Sequence, residues 1–238
     1  MSKVGGVVKN LGLGAARRLP SVLAPRIPGT LVRLIDAAID GVGKLPPAKR
    51  TAARHLERKQ SVEAAIASIT RVHIALASAQ GFVTNLGGIV AAVVGVPANA
   101  AGIVIVEIRM AACIAHLNGY DIDDPRVRTA LVMCLLGDKE LHHRIRRGDL
   151  PTTPLAVATA PMYEPALAER VVERVLSEAL LAAGGKDVTR IVMRRVPLVG
   201  GGIAAVTDGL ETRLIAACVR HELVPRRLLP PGDGLSAP

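Results

Sequence analysis

The sequence predicts an all-α protein, a single compact multi-helix domain with two glycine-rich apolar helical segments forming its core. Half of the 238 residues are hydrophobic, yet only Phe82, Tyr120 and Tyr163 are aromatic, so Ala, Val, Leu and Ile must fill the interior. Alanine abundance favours helix, and glycines set inside apolar runs let helices approach closely or follow a bend. Apolar residues also recur at helical spacing along most of the chain.

Residues 1–29 read as a basic, partly ordered segment, broken by Pro20, Pro25 and Pro28. A helix is expected over about 30–43, with Leu31, Leu34, Ile35 and Ile39 on one side. Pro46 and Pro47 open the next, in which Arg50, Arg54 and Arg58 fall at i, i+4 and i+8 and form a basic stripe. Ser61 is suited to cap a helix running toward Gln80, with Glu63 in its first turn.

From Ile74 to Val106 there are 33 residues without a charged side chain. That length invites a transmembrane reading. Pro97 and Gly81, Gly87, Gly88 and Gly95 oppose a single straight helix, however, and the part before Pro97 gives a helix of about 15 residues. Such a helix is roughly 22 Å long, short of a hydrocarbon core of about 30 Å. A hairpin is the better expectation, either buried or inserted shallowly into one leaflet. Gln80, Asn85 and Asn99 favour burial with internal partners for the polar groups.

The second arm should run from Pro97 to Asn118 and stop at Gly119. Asp124 as N-cap with Pro125 at the first helical position predicts a helix to about Leu136. Asp138 is expected to cap a short basic helix ending near Gly148, and 149–161 reads as a surface loop. Helix over Pro165–Ala183 should end at Gly184 and Gly185, with Asp187 capping the next and Pro197 breaking that one. Residues 30–223 then form the helical domain, and 224–238, rich in Pro, Gly and Ser, read as a disordered tail.

Two segments share a layout. GGIVAAVVG leads to EIRMAACIAH, and GGGIAAVTDG leads to ETRLIAACVRH. Gly87, Ala91 and Gly95 in the first, and Gly201, Ala205 and Gly209 in the second, place small residues four apart for close packing. If the segments pack antiparallel, Glu107 should meet Arg213 and Arg109 should meet Glu211, a buried charge network.

The run GFVTNLGG, the stretch EIRMAACIAHLNGYDIDDPRVRTALVMCLLG and the late PLVGGGIAAVTDGLETRLIAACVRHEL together resemble the EcsC family over about residues 55–223. The resemblance implies a helical fold and action at membranes. It brings no established catalytic residues to carry over.

Asp121, Asp123 and Asp124 spell DxDD. In class II terpene cyclases that pattern holds a carboxylic acid that protonates an alkene, so Asp123 is the candidate donor for a prenyl or lipid chain and its neighbours are the candidate partners. A helix start explains the same residues, because acids favour an N-terminus and Asp124 precedes a proline. Cyclases also stabilise carbocations with aromatic faces, which this composition lacks.

Glu140, His142 and His143 lie close in sequence, but adjacent histidines do not share a helix face, and no metal or cofactor is expected. His73, His116 and His221 read as isolated core-edge histidines. Neither a phosphate-binding glycine loop nor a nucleophile elbow occurs.

Residues 1–59 hold 12 Lys and Arg against 3 Asp and Glu, nearly all of the +10 formal charge. Lys49, Arg50, Arg54, Arg58 and Lys59 are therefore the candidate contacts to an anionic lipid surface. Nucleic acid is a poorer partner, since single-strand binders need aromatic platforms.

Cys113, Cys134 and Cys218, widely spaced in apolar patterns, indicate a reducing compartment. The N-terminal stretch, broken by Lys9, Gly12 and Gly14, does not read as a signal peptide. The expectation is a cytoplasmic protein, peripheral at the inner face of the cell membrane, that binds lipid or another apolar partner. The alternative is a proton-initiated cyclase using the DxDD.

Overall fold

The computed structural model describes residues 28–42, 45–79, 98–194 and 200–226. Among them the regular structure is entirely helical: α1 Pro28–Ile39, α2 Ala48–Lys59, α3 Val62–Ser78, α4 Ala98–Leu117, α5 Pro125–Cys134, α6 Gly137–Arg146, α7 Pro154–Ala158, α8 Pro165–Arg194 and α9 Gly200–Glu222. The all-α expectation holds. Segments 1–27, 80–97 and 227–238 lie outside the described residues. With them lie the first arm of the expected hairpin, its Gly87, Ala91 and Gly95 stripe, the N-terminal segment and nearly all of the tail.

α4 organises the molecule. Every residue from Ala100 to Ala115 is buried, so the helix is covered all round rather than along one stripe. Its neighbours are α1, α2, α3, α5, α8 and α9. By length and composition it could cross a membrane, but 89% of the window Ala100–Leu117 is buried against the rest of the chain. Its aliphatic bulk is spent on internal packing.

Local chemistry sets the helix ends. The Ser61 hydroxyl accepts from the Ala64 amide at 3.1 Å, and Asp124 accepts from Arg126 N at 2.8 Å with Pro125 opening α5. Each satisfies an amide that the helix leaves without a partner. Gly119 (φ +89°) ends α4 as expected. Gly41 (φ +86°) makes the tight exit from α1, where a side chain would strike the Leu45 carbonyl. The apolar side of α1 is the predicted one: Leu31, Leu34, Ile35 and Ile39 are all buried.

Three expectations need correction. Gly184 and Gly185 do not stop a helix, because α8 runs through them to Arg194 and no separate helix begins at Asp187. The segment 149–161 contains α7, capped by the Thr153 hydroxyl on Ala156 N at 3.3 Å, with Pro154 and Ala158 buried. Asp138 is not a cap: Leu136 occupies that position, and Asp138 falls within the first turn of α6. Its carboxylate is free for other partners.

The late small-residue line works as the spacing suggests at the position that can be followed. Gly209 on α9 faces α3, where an added Cβ would lie 3.3 Å from Ile74 Cγ2 and 3.5 Å from Ser78 Oγ. Close approach of α9 to α3 depends on that missing side chain.

Candidate functional site

The DxDD acids occupy the exposed turn between α4 and α5. Asp124 caps α5 and clamps Arg126, with Nε to Oδ1 at 3.0 Å and Nη2 to Oδ2 at 2.5 Å. The Arg126 hydrogen bond holds the Asp124 carboxyl below its ordinary range, outweighing partial burial. Asp121 Oδ1 accepts from the Asp123 amide at 3.1 Å. Lys49 Nζ reaches Asp123 Oδ2 at 2.5 Å and Asp121 Oδ1 at 3.6 Å, while Arg128 reaches Asp36 at 2.5 Å and Asp123 at 3.8 Å.

These ion pairs join α1, α2 and α5 at the surface. Asp123 is 58% exposed and Asp121 69%, so neither lies in an enclosed space. A carboxylic acid that protonates an alkene needs a dry pocket that keeps it neutral. The geometry therefore assigns the acids to capping and ion pairing, and the candidate donor role of Asp123 is corrected accordingly. Lys49, half-exposed, pairs with Asp121 and Asp123 on the same surface. Arg50, Arg54, Arg58 and Lys59 are exposed along α2 as the stripe predicts.

Arg109 is buried, and among the described residues its partners are not carboxylates. It donates to the Ala38 carbonyl at 3.2 Å, to the Pro46 carbonyl, and to Thr51 Oγ1 at 2.6 Å. It thereby ties α4 to the end of α1 and the start of α2. The expected Arg109 to Glu211 pair is corrected, because orphan carbonyls near a helix C-terminus offer a cation what an acid would. Arg213 is exposed on α9, outside the wall that holds Glu107 and Glu211.

That wall belongs to a cavity of about 1000 Å³ between α4, α6, α8 and α9. Ile103, Leu135, Leu136, Leu214 and Ile215 give its lining an aliphatic part. Glu107 and Glu211 lie in its lining, each already engaged in an interaction of its own. At the rim, Arg144 is held by Glu140 at 2.7 Å and Glu178 at 2.6 Å. Lys139 and Arg146, two turns apart on α6, are exposed rim cations with no ion pair among the described residues.

Beside the cavity, where α6 meets α9, four polar side chains converge. His221 Nδ1 lies 2.8 Å from Asp138 Oδ1, and His142 Nε2 lies 3.2 Å from Glu222 Oε1. His221 is thus neither isolated nor at the core edge, which corrects the sequence expectation. His73 does sit in the core, with Nδ1 2.8 Å from the Ile69 carbonyl oxygen. Sequence reasoning missed the cluster because Glu222 is remote from α6 along the chain. The i, i+4 spacing of Asp138 and His142 was its one readable signal.

The three cysteines are buried thiols, as their settings predict. Cys113 is pushed up to about 12 by burial, so it is no nucleophile at neutral pH. No family model, no curated protein and no solved structure matches this chain, so the EcsC-like reading rests on its sequence patterns alone.

Proposed function

We propose that the protein binds a phosphate-bearing amphiphile, its acyl or prenyl chain lying in the cavity between α4, α6, α8 and α9, while α2 rests on an anionic membrane surface. One observation carries the reading: a cavity of about 1000 Å³ with aliphatic residues in its lining beside the exposed cations Lys139 and Arg146, which have no ion pair among the described residues. The aliphatic part of the lining takes up a hydrocarbon chain, Glu107 and Glu211 keeping interactions of their own, and a small number of placed charges orients the head. The other rim cation, Arg144, is neutralised by Glu140 and Glu178. Phosphate oxygens therefore find Lys139 and Arg146 first.

The basic face of α2 adds surface attraction worth about 1 kcal/mol per cation near an anionic leaflet. Exposure of Arg50, Arg54 and Arg58 along one helix supports that part. The test is binding of a fluorescent lysophospholipid to the full chain, followed with K139E/R146E and with Ala179→Phe, which narrows the cavity. Both variants should weaken binding by about tenfold or more. Wild-type affinity in Ala179→Phe would retire the cavity as the site. Vesicle co-sedimentation tests the surface contact separately. Equal binding to neutral and anionic vesicles, indifferent to salt, would retire the role of α2.

A further inference from the structure

We propose that Asp138, His142 and Glu222, with His221 beside them, bind a divalent transition-metal ion of the zinc class. The site shares Asp138 with the lining of the cavity but does not rest on the amphiphile reading.

Asp138 and His142 stand one turn apart on one face of α6, and Glu222 is the last residue of α9. The three offer ligand atoms that all lie within 4.8 Å of one another. His142 Nδ1 lies 2.9 Å from the Asp138 main-chain carbonyl oxygen. A carbonyl only accepts, so Nδ1 carries the proton and the lone pair of a neutral ring is on Nε2. Metal-binding histidines are oriented in this way, one nitrogen donating to a carbonyl while the other faces the ion.

That lone pair points at a carboxyl. His142 Nε2 and Glu222 Oε1 are 3.2 Å apart, a contact that a shared proton or a metal ion between the two atoms makes attractive. Bonds of about 2.0–2.2 Å in a tetrahedral zinc centre place neighbouring ligand atoms about 3.3–3.5 Å apart. The observed His142–Glu222 separation is near that value, and the Asp138 carboxylate, within 4.8 Å of both, closes on the ion by a side-chain adjustment.

Glu222 supplies the second observation. Its side chain is only 6% exposed, and among the described residues no Arg or Lys reaches it. Its close neighbours are His142 Nε2 and, at 3.6 Å, His221 Nδ1. A buried carboxylate is costly unless a cation or several donors compensate it. Asp138 and Glu222 bring two carboxyl groups to the cluster, and a divalent ion between them supplies the compensating charge. His221 donates from Nδ1 to Asp138 Oδ1 at 2.8 Å, holding that carboxylate toward the site.

Imidazole in the donor set favours zinc and its first-row neighbours over calcium or magnesium, which prefer oxygen alone. The bound ion joins the first turn of α6 to the last of α9.

The experiment is calorimetric titration of the untagged, chelator-stripped full chain with Zn²⁺, alongside thermal unfolding with and without the ion. One Zn²⁺ per chain and a raised midpoint are expected, because an ion that binds the native state stabilises it. His142→Ala and Glu222→Gln should each weaken binding by about tenfold to a hundredfold. His143→Ala, which alters the adjacent imidazole, should leave it unchanged. Should Glu222→Gln fail to fold, Asp138→Asn takes its place. No binding, or wild-type affinity in His142→Ala together with the carboxylate variant, would overturn the proposal.

Discussion

The hydroxyl of Tyr120 donates to the carbonyl oxygen of Val224 at 2.9 Å, joining the turn after α4 to the chain that leaves α9. Asn118 Nδ2 donates to the Leu223 carbonyl at 2.7 Å, and the Arg226 amide donates back to the Asn118 carbonyl at 2.9 Å. The Arg226 guanidinium lies 5.7 Å from the Tyr120 ring centroid, within reach of a cation and π-face attraction. Two segments about a hundred residues apart are stitched together. Asn118→Ala should cost about 2 kcal/mol, since it leaves the buried Leu223 carbonyl without its donor. Tyr120→Phe should cost about 1 kcal/mol, because water can reach the half-buried Val224 carbonyl in exchange. Urea denaturation measures both, and an Asn118→Ala midpoint equal to wild type would show that the stitch contributes nothing.

The DxDD acids can be ranked by stability alone. Asp124 holds the first turn of α5 and binds Arg126, which in turn donates to the Ala160 carbonyl at 2.5 Å. Asp124→Ala should therefore cost about 1–2 kcal/mol, the usual loss for an N-cap. Asp123 shares an exposed ion pair with Lys49, so Asp123→Asn should cost less than about 1 kcal/mol. Chemical denaturation of the two variants side by side decides the order. The opposite order would mean that Asp123 holds a buried role its exposure does not suggest.

The legible parts of the fold are those decided within a turn or two of chain. Ser61 and Asp124 cap where the residue types say they should, and the buried side of α1 follows from its spacing. Gly184 and Gly185 misled because a glycine costs only about 1 kcal/mol in a helix, a local preference that packing of α8 against α4 and α5 overrides. The α7 signal was present in Thr153 followed by Pro154, but the polar and proline-rich composition around it reads as loop. Arg109 was rightly singled out as a charge in apolar surroundings. Its partners were not readable, because backbone carbonyls leave no trace in a residue pattern. The convergence at Glu222 likewise exists only once α9 packs on α6.

Arg109 offers a test of that last kind of interaction. Its guanidinium serves three acceptors, on Ala38, Pro46 and Thr51, and burial pushes its pKa down without removing the charge. Arg109→Leu fills the apolar space but leaves those acceptors unmatched, and should cost about 3 kcal/mol. Arg109→Lys keeps the charge and loses the planar fork, so its cost should fall between that value and zero. Urea midpoints check the order. A leucine variant as stable as wild type would mean that the charge and its bonds merely break even with an apolar replacement.

His73 should make the protein acid-sensitive. It is 2% exposed, its Nδ1 donates to the Ile69 carbonyl, and Nε2 has no partner among the described residues. Burial lowers its pKa from 6.5 to about 4, with the Ile69 hydrogen bond opposing and the nearby Arg109 and His55 adding to the shift. The native ring is thus neutral at pH values where the unfolded chain already takes up a proton. Stability from this group is complete above the unfolded value of 6.5 and is lost progressively as pH falls toward 4. The loss approaches about 1.4 kcal/mol per pH unit, or about 3 kcal/mol in all. Carboxylates such as Asp124, held low by Arg126, lose their contribution only at lower pH, so the two effects separate on the pH axis. His73→Leu removes the titration and the unpartnered nitrogen together while giving up one hydrogen bond within the helix. At neutral pH its urea midpoint should be close to wild type, and between about pH 6.5 and 4 it should fall less steeply. Parallel curves for the two proteins would mean that the native ring is protonated over this range and that burial does not govern its titration.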